Sequence, residues 1–291
     1  MNIEDHERFS QIYQKHQRNC WYLYPAYMAL SQLRSDVEIT EEYHAGSVIL
    51  YRQSQRTNGT ELELYTTPMP CTPETLQHAM QQVRDANRRK RVRIRYVERS
   101  EMPEVARAGF ILRAREEESL MDGDKVRALE GPEFSRIRRE IGKTSSQPGL
   151  QCRDYRPEDE AGCLAVLGRW RDRLKQAGLP LEGDRLTRNC LRHAAHWPRQ
   201  AIRGRVCEIA GEIRGFTFAG PITRECGNLF VGISDTDIRG LAYLIRHDQL
   251  LEWPELAYFN HGSGAGRSGL NALKDAFRPF DKAPIYRAVS S

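Results

Sequence analysis

Near its end the chain reads YFNHGSGAGRSGLNALKDAFRPF, from Tyr258 to Phe280. A strand-like start leads into four glycines within eight residues, then a helical pattern, then Pro279. Gly264, Gly266 and Gly269 match GxGxxG between a strand and a helix, the setting of a dinucleotide fingerprint. That fold needs a further βαβ unit and an acidic ribose ligand on its second strand, and only about 20 residues follow Gly269. A dinucleotide fold is therefore excluded. Gly269 is followed by Leu270-Asn271 rather than Lys-Ser/Thr, which excludes a triphosphate-binding loop. Two readings remain: a loop whose free amides face a ligand, or a flexible turn entering a helix.

The residues before this stretch form a regular series. QCRDYRPEDEAGCLAVLGRWRDRLK reads as a short strand, a turn and an amphipathic helix, and TRNCLRHAAHW as a second helix. RVCEIAGEIRGFTFAG is two strands about a turn, GNLFVGISD a strand and DIRGLAYLIRHDQLLEW a helix. ELAYFNHG, GLNALKDAF and APIYRAVS follow as strand, helix and strand. This β-α-α-β-β-β-α-β-α-β order is that of the Gcn5-related N-acetyltransferase (GNAT) fold.

The first half gives a looser version of the same order. ERFSQIYQKHQ and YPAYMALSQLR are helix-like, EYHAGSVILYRQ and ELELYTT strand-like, with Asn58-Gly59 as a hairpin signal between them. Thr72, Pro73 and Glu74 predict a helix start, and Leu76, Met80 and Val83 its apolar face. RVRIRYVER alternates with period two, placing Val92, Ile94 and Tyr96 on one face and Arg91, Arg93 and Arg95 on the other. The small, polar segment GKTSSQPGLQ marks a boundary. The expected fold is α+β, two tandem GNAT-like domains, each a mixed, mostly antiparallel sheet flanked by helices. Their expected limits are 1–127 and 151–291, joined by a helix and linker over 128–150.

Composition narrows the partners. No apolar run is long enough to span a membrane, and the polar, acidic N-terminus reads as neither a secretory signal nor a transit peptide. Seven scattered cysteines without a CxxC pair predict buried thiols in a reducing cytoplasm, not a disulfide framework or a zinc ribbon. A net charge of +5 suits a polyanionic partner without requiring one. His193 and His196 lie three apart on a helix but have no third ligand in sight, so no metal is expected.

The glycine stretch carries a resemblance. Asn260, Gly262, Gly266, Gly269, Leu270, Lys274 and Pro279 fit N-x-G…G-x-x-G-L-x-x-x-K-x-x-x-x-P. This resembles the C-terminal signature of the family that includes the catalytic domain of phosphatidylglycerol lysyltransferases. A second piece, ALEGPEFSRIRREIGK, is similar to that family's upstream helix at Leu129, Gly131, Phe134, Arg138 and Ile141. The resemblance covers roughly residues 128–291. It implies a tandem-GNAT fold and transfer of an aminoacyl group from aminoacyl-tRNA to a small-molecule or peptide-like acceptor. The co-substrate would then be aminoacyl-tRNA, with no further cofactor.

Such a transfer starts from an activated ester and needs a neutral amine, donors for the oxyanion and a proton for the leaving hydroxyl. Positioning can supply much of the rate, so no catalytic triad is required. The candidate catalytic residues are Asn260, Lys274 and Asp235. Asn260 is a donor to the acyl carbonyl or an Asx-turn residue. Lys274 is a cation for a phosphate or ester, or a solvated helix lysine. Asp235 and Asp237 contact a substrate amine or cap a helix. His261 is a base near neutral pH or a turn histidine. Arg138, Gly262, Gly266 and Gly269 are candidate substrate-binding positions. Arg91, Arg93, Arg95, Arg136 and Arg139 are candidate tRNA contacts, or else solvated basic faces.

Two alternatives stand beside this reading. An acyl-CoA-dependent N-acyltransferase would hold pyrophosphate on the turn Asp237-Ile238-Arg239-Gly240-Leu241-Ala242, where Asp237 puts an anion in place of a cation. A non-catalytic RNA-binding protein would keep the fold and the arginines only.

Overall fold

The computed structural model describes residues 3–33, 36–57, 59–88, 91–181 and 183–290, with the side chain of residue 56 left aside. By internal contacts the chain forms two compact units: Met1–Glu118 with Lys282–Ser291, and Ser119–Asp281.

Unit 1 opens with helices α1 (His6–Lys15) and α2 (Pro25–Gln32). Strands β1 (Val37–His44), β2 (Ser47–Arg56) and β3 (Gly59–Thr66) form an antiparallel meander. Helix α3 (Pro73–Asn87) returns the chain to β4 (Arg93–Glu98), which runs parallel to β3. The short helix α4 (Met102–Arg107) leads into β5 (Phe110–Asp122). The last strand of the chain, β11 (Asp281–Ser290), lies between β4 and β5, giving the order β1-β2-β3-β4-β11-β5.

The local chemistry explains these elements. Thr72 caps α3 through Thr75 N, Pro73 takes the first turn, and Leu76, Met80 and Val83 are buried against β3 and β4. Val92, Ile94 and Tyr96 are buried while Arg91 and Arg93 point to solvent, as the alternation predicts. Two features were not foreseen. EYHAGSVILYRQ is broken by a turn at Ala45-Gly46, both left-handed, so it supplies parts of two strands. Strand β5 carried no separate expectation. Gly59 opens β3 as the hairpin signal requires, while Asn58 lies outside the described residues.

Unit 2 begins with the last residues of β5, then α5 (Gly123–Ala128) and α6 (Ser135–Ser145). Strand β6 (Leu150–Asp154) is followed by α7 (Glu160–Gln176) and α8 (Asp184–His193). Strands β7 (Arg203–Ile209), β8 (Glu212–Pro221) and β9 (Cys226–Ser234) extend the antiparallel ladder. Helix α9 (Leu241–Leu251) crosses back to the short β10 (Tyr258–Asn260), parallel to β9, and α10 (Ser268–Ala276) completes the unit. Its strand order is β5-β10-β9-β8-β7-β6. The core joins Met121, Phe134, Ile137, Leu250, Trp253 and Phe259.

Each unit is a mixed, mostly antiparallel sheet with helices, as expected. The limits differ from 1–127 and 151–291. The connecting segment 128–150 packs within unit 2, where α6 lies on α9, and the final strand belongs to unit 1. The absence of a disulfide is also corrected. Cys152 and Cys207 are directly opposed on β6 and β7, 4.2 Å apart at Cα, and are bonded. Cys20, Cys163, Cys190 and Cys226 are buried thiols. No helix among the described residues is long and apolar enough to cross a membrane.

Candidate functional site

In unit 2, β9 and β10 run side by side only over Tyr258–Asn260, and Asn260 opposite Asn228 is the last registered pair. Strand β9 continues to Ser234 while the chain leaves β10 as the glycine loop. The two strands thus part at a pair of fully buried asparagines.

The loop is held from three sides. Asn260 Oδ1 accepts from Gly262 N at 2.8 Å, an Asx-type turn that Gly262 permits with φ +66°. Ser119 on β5 exchanges backbone hydrogen bonds with it, donating to Gly262 O and accepting from His261 N. Lys274, buried on α10, donates from Nζ to His261 O and to Ser263 O, the latter at 2.5 Å. The lysine is therefore not solvated: it bridges loop carbonyls. Gly266 has φ +70°, and Gly269 sits in the first turn of α10 with open space around it.

His261 is buried beside this bridge, and its Nδ1 has no hydrogen-bond partner among the described residues. Burial, the Lys274 ammonium and the Arg246 guanidinium hold its pKa well below the ordinary value, so the ring is neutral at pH 7. Arg246 was not singled out in the sequence. Its segment, DIRGLAYLIRHDQLLEW, reads there only as a helix. In the structure Arg246 is turned inward. Its Nη1 donates to Ala242 O at 2.9 Å and its Nη2 to Gly232 O of β9 at 2.7 Å.

The remaining candidates lie in built contacts. Asp235, at the end of β9, is buried and clamped by Arg169, at 2.8 and 2.9 Å, and by Arg214 at 3.1 Å. It is an ion-pair centre rather than a carboxylate open to an amine. Asp237 pairs with Arg173. Arg138 donates from Nη1 to Leu129 O and, at 2.7 Å, to Gly131 O, closing the turn before α6. This places the Arg138 guanidinium on backbone instead of a substrate. Arg136 and Arg139 are exposed on α6.

The turn that an acyl-CoA enzyme would use is tied to α6, with Asp237 and Arg239 themselves exposed. Glu140 on α6 grips Arg239 at 2.7 and 2.9 Å, and Arg239 holds its carboxyl below the usual range. Thr144 Oγ1 donates to Arg239 O at 2.7 Å. Gly240, with φ +86°, passes so close that an added Cβ would lie 2.5 Å from Glu140 O. Only glycine meets both conditions.

In unit 1 the place where the parallel pair β3–β4 ends is filled. Arg18, buried, pairs with Glu98 and with Glu101 at 2.6 Å, and donates to Thr67 Oγ1 at 3.1 Å. The segment that follows β3 carries Pro68, Pro70 and Pro73, which have no N–H to offer a phosphate. Unit 1 instead presents a groove of 1120 Å³ with Arg91, Arg93, Arg95, Arg113, Arg115 and Arg287 in its lining. Arg93 pairs with Glu61 at 2.8 Å and Arg95 with Glu63 at 3.2 Å. Arg115 stacks over Tyr22 and Tyr96. Arg91, Arg113 and Arg287 make no ion pair among the described residues. Of the basic run Arg88–Arg95, residues 89 and 90 lie outside the described residues.

Glu42, His44 and His78 bring three potential metal-ligand atoms within 4.8 Å of one another. The two imidazoles are stacked, 3.6 Å apart and 3° from parallel. Their lone pairs lie in separate parallel planes and cannot meet at one ion about 2 Å from each nitrogen. His78 Nε2 instead lies 2.7 Å from Glu42 Oε1.

No known protein family and no curated protein matches the chain. Solved structures do. A conserved protein of unknown function from Bacteroides thetaiotaomicron superposes with a TM-score of 0.82 at 17% identity, covering 100% of this chain and 98% of that one. The C-terminal domain of a putative lysylphosphatidylglycerol synthetase from Agrobacterium fabrum gives 0.65 at 17%, covering 100% and 93%. FemX gives 0.68 at 7% identity, covering 98% and 96%. With unit 2 following the β-α-α-β-β-β-α-β-α order and unit 1 the shorter variant, the chain has the tandem GNAT-like fold shared by the lysylphosphatidylglycerol synthetase domain and FemX.

Proposed function

We propose that this chain is an aminoacyltransferase that moves an aminoacyl group from aminoacyl-tRNA to a small-molecule or peptide-like acceptor, with unit 2 as the site of transfer. The observation that carries this reading is the arginine groove of unit 1. Three of its six arginines have no ion pair among the described residues, as a surface for an RNA backbone requires. The Glu140 carboxylate on Arg239 and the Asp237 carboxylate put negative charge at the Asp237–Ala242 turn, which weighs against pyrophosphate, and hence against acyl-CoA, at the other end of the reaction.

The chemistry asks little of side chains. The acceptor nitrogen attacks the ester carbonyl, the bond to the ribose oxygen breaks, and that oxygen takes a proton. Lys274 fixes the His261 and Ser263 carbonyls and so holds the loop rigid for positioning the acyl group. The test is retention of a total charged-tRNA pool by purified protein at low and physiological salt, followed by sequencing of what is kept. One enriched isoacceptor whose aminoacyl group is discharged supports the reading. Uniform retention that salt abolishes, or no retention together with CoA binding in calorimetry, overturns it.

A further inference from the structure

Several polar groups inside unit 2 have no function in the transfer described above. Arg246 is 6% exposed and no carboxylate among the described residues pairs with it. Both of its terminal nitrogens reach backbone carbonyls, while Nε has no partner among the described residues. Gln249, one turn along α9, is fully buried, and both its amide atoms lack a partner among the described residues. His261 Nδ1 is a third such atom. Residues three apart on a helix share a face, so Arg246 and Gln249 look the same way.

Native interiors satisfy nearly all buried polar atoms, and each exception calls for a reason. A cation buried without a counter-charge is a costly exception. Its own ionisation shows the strain: burial, then Arg267, pushes the Arg246 pKa down to about 10. Arg267 itself lies over Trp170 of α7. Cationic Lys274 adds to the same field at His261. The backbone makes room for the guanidinium: a Cβ on Gly232 would lie 2.8 Å from Arg246 Cζ. The site is rich in donors and positive charge and lacks an acceptor bearing negative charge.

We infer that Arg246, with Gln249 and His261, forms a buried subsite for one oxyanion carried by a substrate. The oxyanion is a carboxylate or a phosphate ester: Arg246 Nε gives it a charge-assisted hydrogen bond, and the Gln249 amide pairs with the group beside it. Two sources have this chemistry, the phosphodiester next to the terminal adenosine of the donor and the carboxylate of an amino-acid-like acceptor. Assigning the anion to a substrate rests on the proposed transfer; the binding itself does not.

The experiment measures affinities by calorimetry in two arms at fixed ionic strength. One compares the dinucleotide CpA with an equimolar mixture of cytidine and adenosine. The other compares glycylglycine with glycylglycinamide. In one arm the anion binds about tenfold more tightly than its neutral counterpart, the worth of one charge-assisted hydrogen bond. That arm names the source. Arg246→Met abolishes the preference, and Arg246→Lys keeps part of it. Equal affinities in both arms overturn the subsite. A preference that survives Arg246→Met overturns it as well. A merely structural arginine would lower the melting temperature of Arg246→Met without altering any preference. Should that variant not fold, the wild-type comparison and Arg246→Lys decide. If charged tRNA is not retained yet the anion preference holds, the transfer reading fails and the subsite stands.

Discussion

Replacing Lys274 by methionine separates a loop-holding lysine from a substrate-binding one. Methionine keeps most of the length and apolar volume of the side chain and removes the ammonium. Two carbonyls, His261 O and Ser263 O, then lose a charged donor inside unit 2. Hydrogen bonds to charged groups contribute about 1.5–3 kcal/mol each, so the gross loss is about 3–6 kcal/mol. Relief from burying an ammonium offsets part of this, leaving a net destabilisation of about 2–4 kcal/mol. For a unit of this size that lowers the melting temperature by roughly 5–15 °C. Urea denaturation with a probe in unit 2, such as Trp253, reads the change directly. The His261 ring reports independently: loss of the neighbouring cation lets its pKa rise toward the ordinary value, with burial still holding it low. A Lys274→Met protein with wild-type stability and an unmoved His261 titration would refute the bridging role, and a loss of transfer at wild-type stability would return Lys274 to the substrate.

His261 also makes unit 2 sensitive to acid. Its folded pKa lies well below the unfolded value, so below about pH 6.5 the unfolded chain binds the proton first and stability falls as pH drops, by up to about 1.4 kcal/mol per pH unit. His261→Asn is expected to show a shallower acid limb in urea midpoints, and equal slopes would remove the assignment. In the unit 1 groove, Arg91→Ala, Arg113→Ala and Arg287→Ala each lower the log–log salt slope of RNA binding by about 0.7–0.9. Arg93→Ala, whose guanidinium already pairs with Glu61, lowers it less, and four equal slopes would contradict the ion-pair pattern. Gly240→Ala meets left-handed backbone and the Glu140 carbonyl together, and is expected to cost roughly 3 kcal/mol in denaturant titration.

Where burial is one-sided, the sequence was readable. Val92, Ile94 and Tyr96 alternate with arginines because only one face of β4 meets a core, and Thr72-Pro73 announces α3 because capping is a local event. Partner choice was not local. APIYRAVS shows that it is a strand, but nothing in its alternation says that it lies between β4 and β5 of unit 1 rather than in unit 2. The Cys152–Cys207 bond depends in the same way on a cross-strand register between residues 55 apart in sequence. The Ala45-Gly46 turn has a weak sequence signal because Ala45 is not a residue that ordinarily marks left-handed backbone.

At the site, polarity was not legible. Sequence spacing leaves Lys274 either a cation for a phosphate or ester or a solvated helix lysine. It cannot tell whether amides or carbonyls of that loop point inward, and the carbonyls do. Arg138 repeats the lesson, donating to Leu129 O and Gly131 O. Arg246 was hidden for the opposite reason: in LAYLIRHDQLL it resembles an ordinary polar residue of an amphipathic helix, and only the register of α9 against Gly232 turns it inward. The consequence for function follows from dielectric. A cation already satisfied by several carbonyls has little left for a ligand, whereas a buried guanidinium with an unused Nε–H acts where electrostatic attraction is least screened. Arg246 is therefore the position in unit 2 at which a substrate's negative charge would gain most.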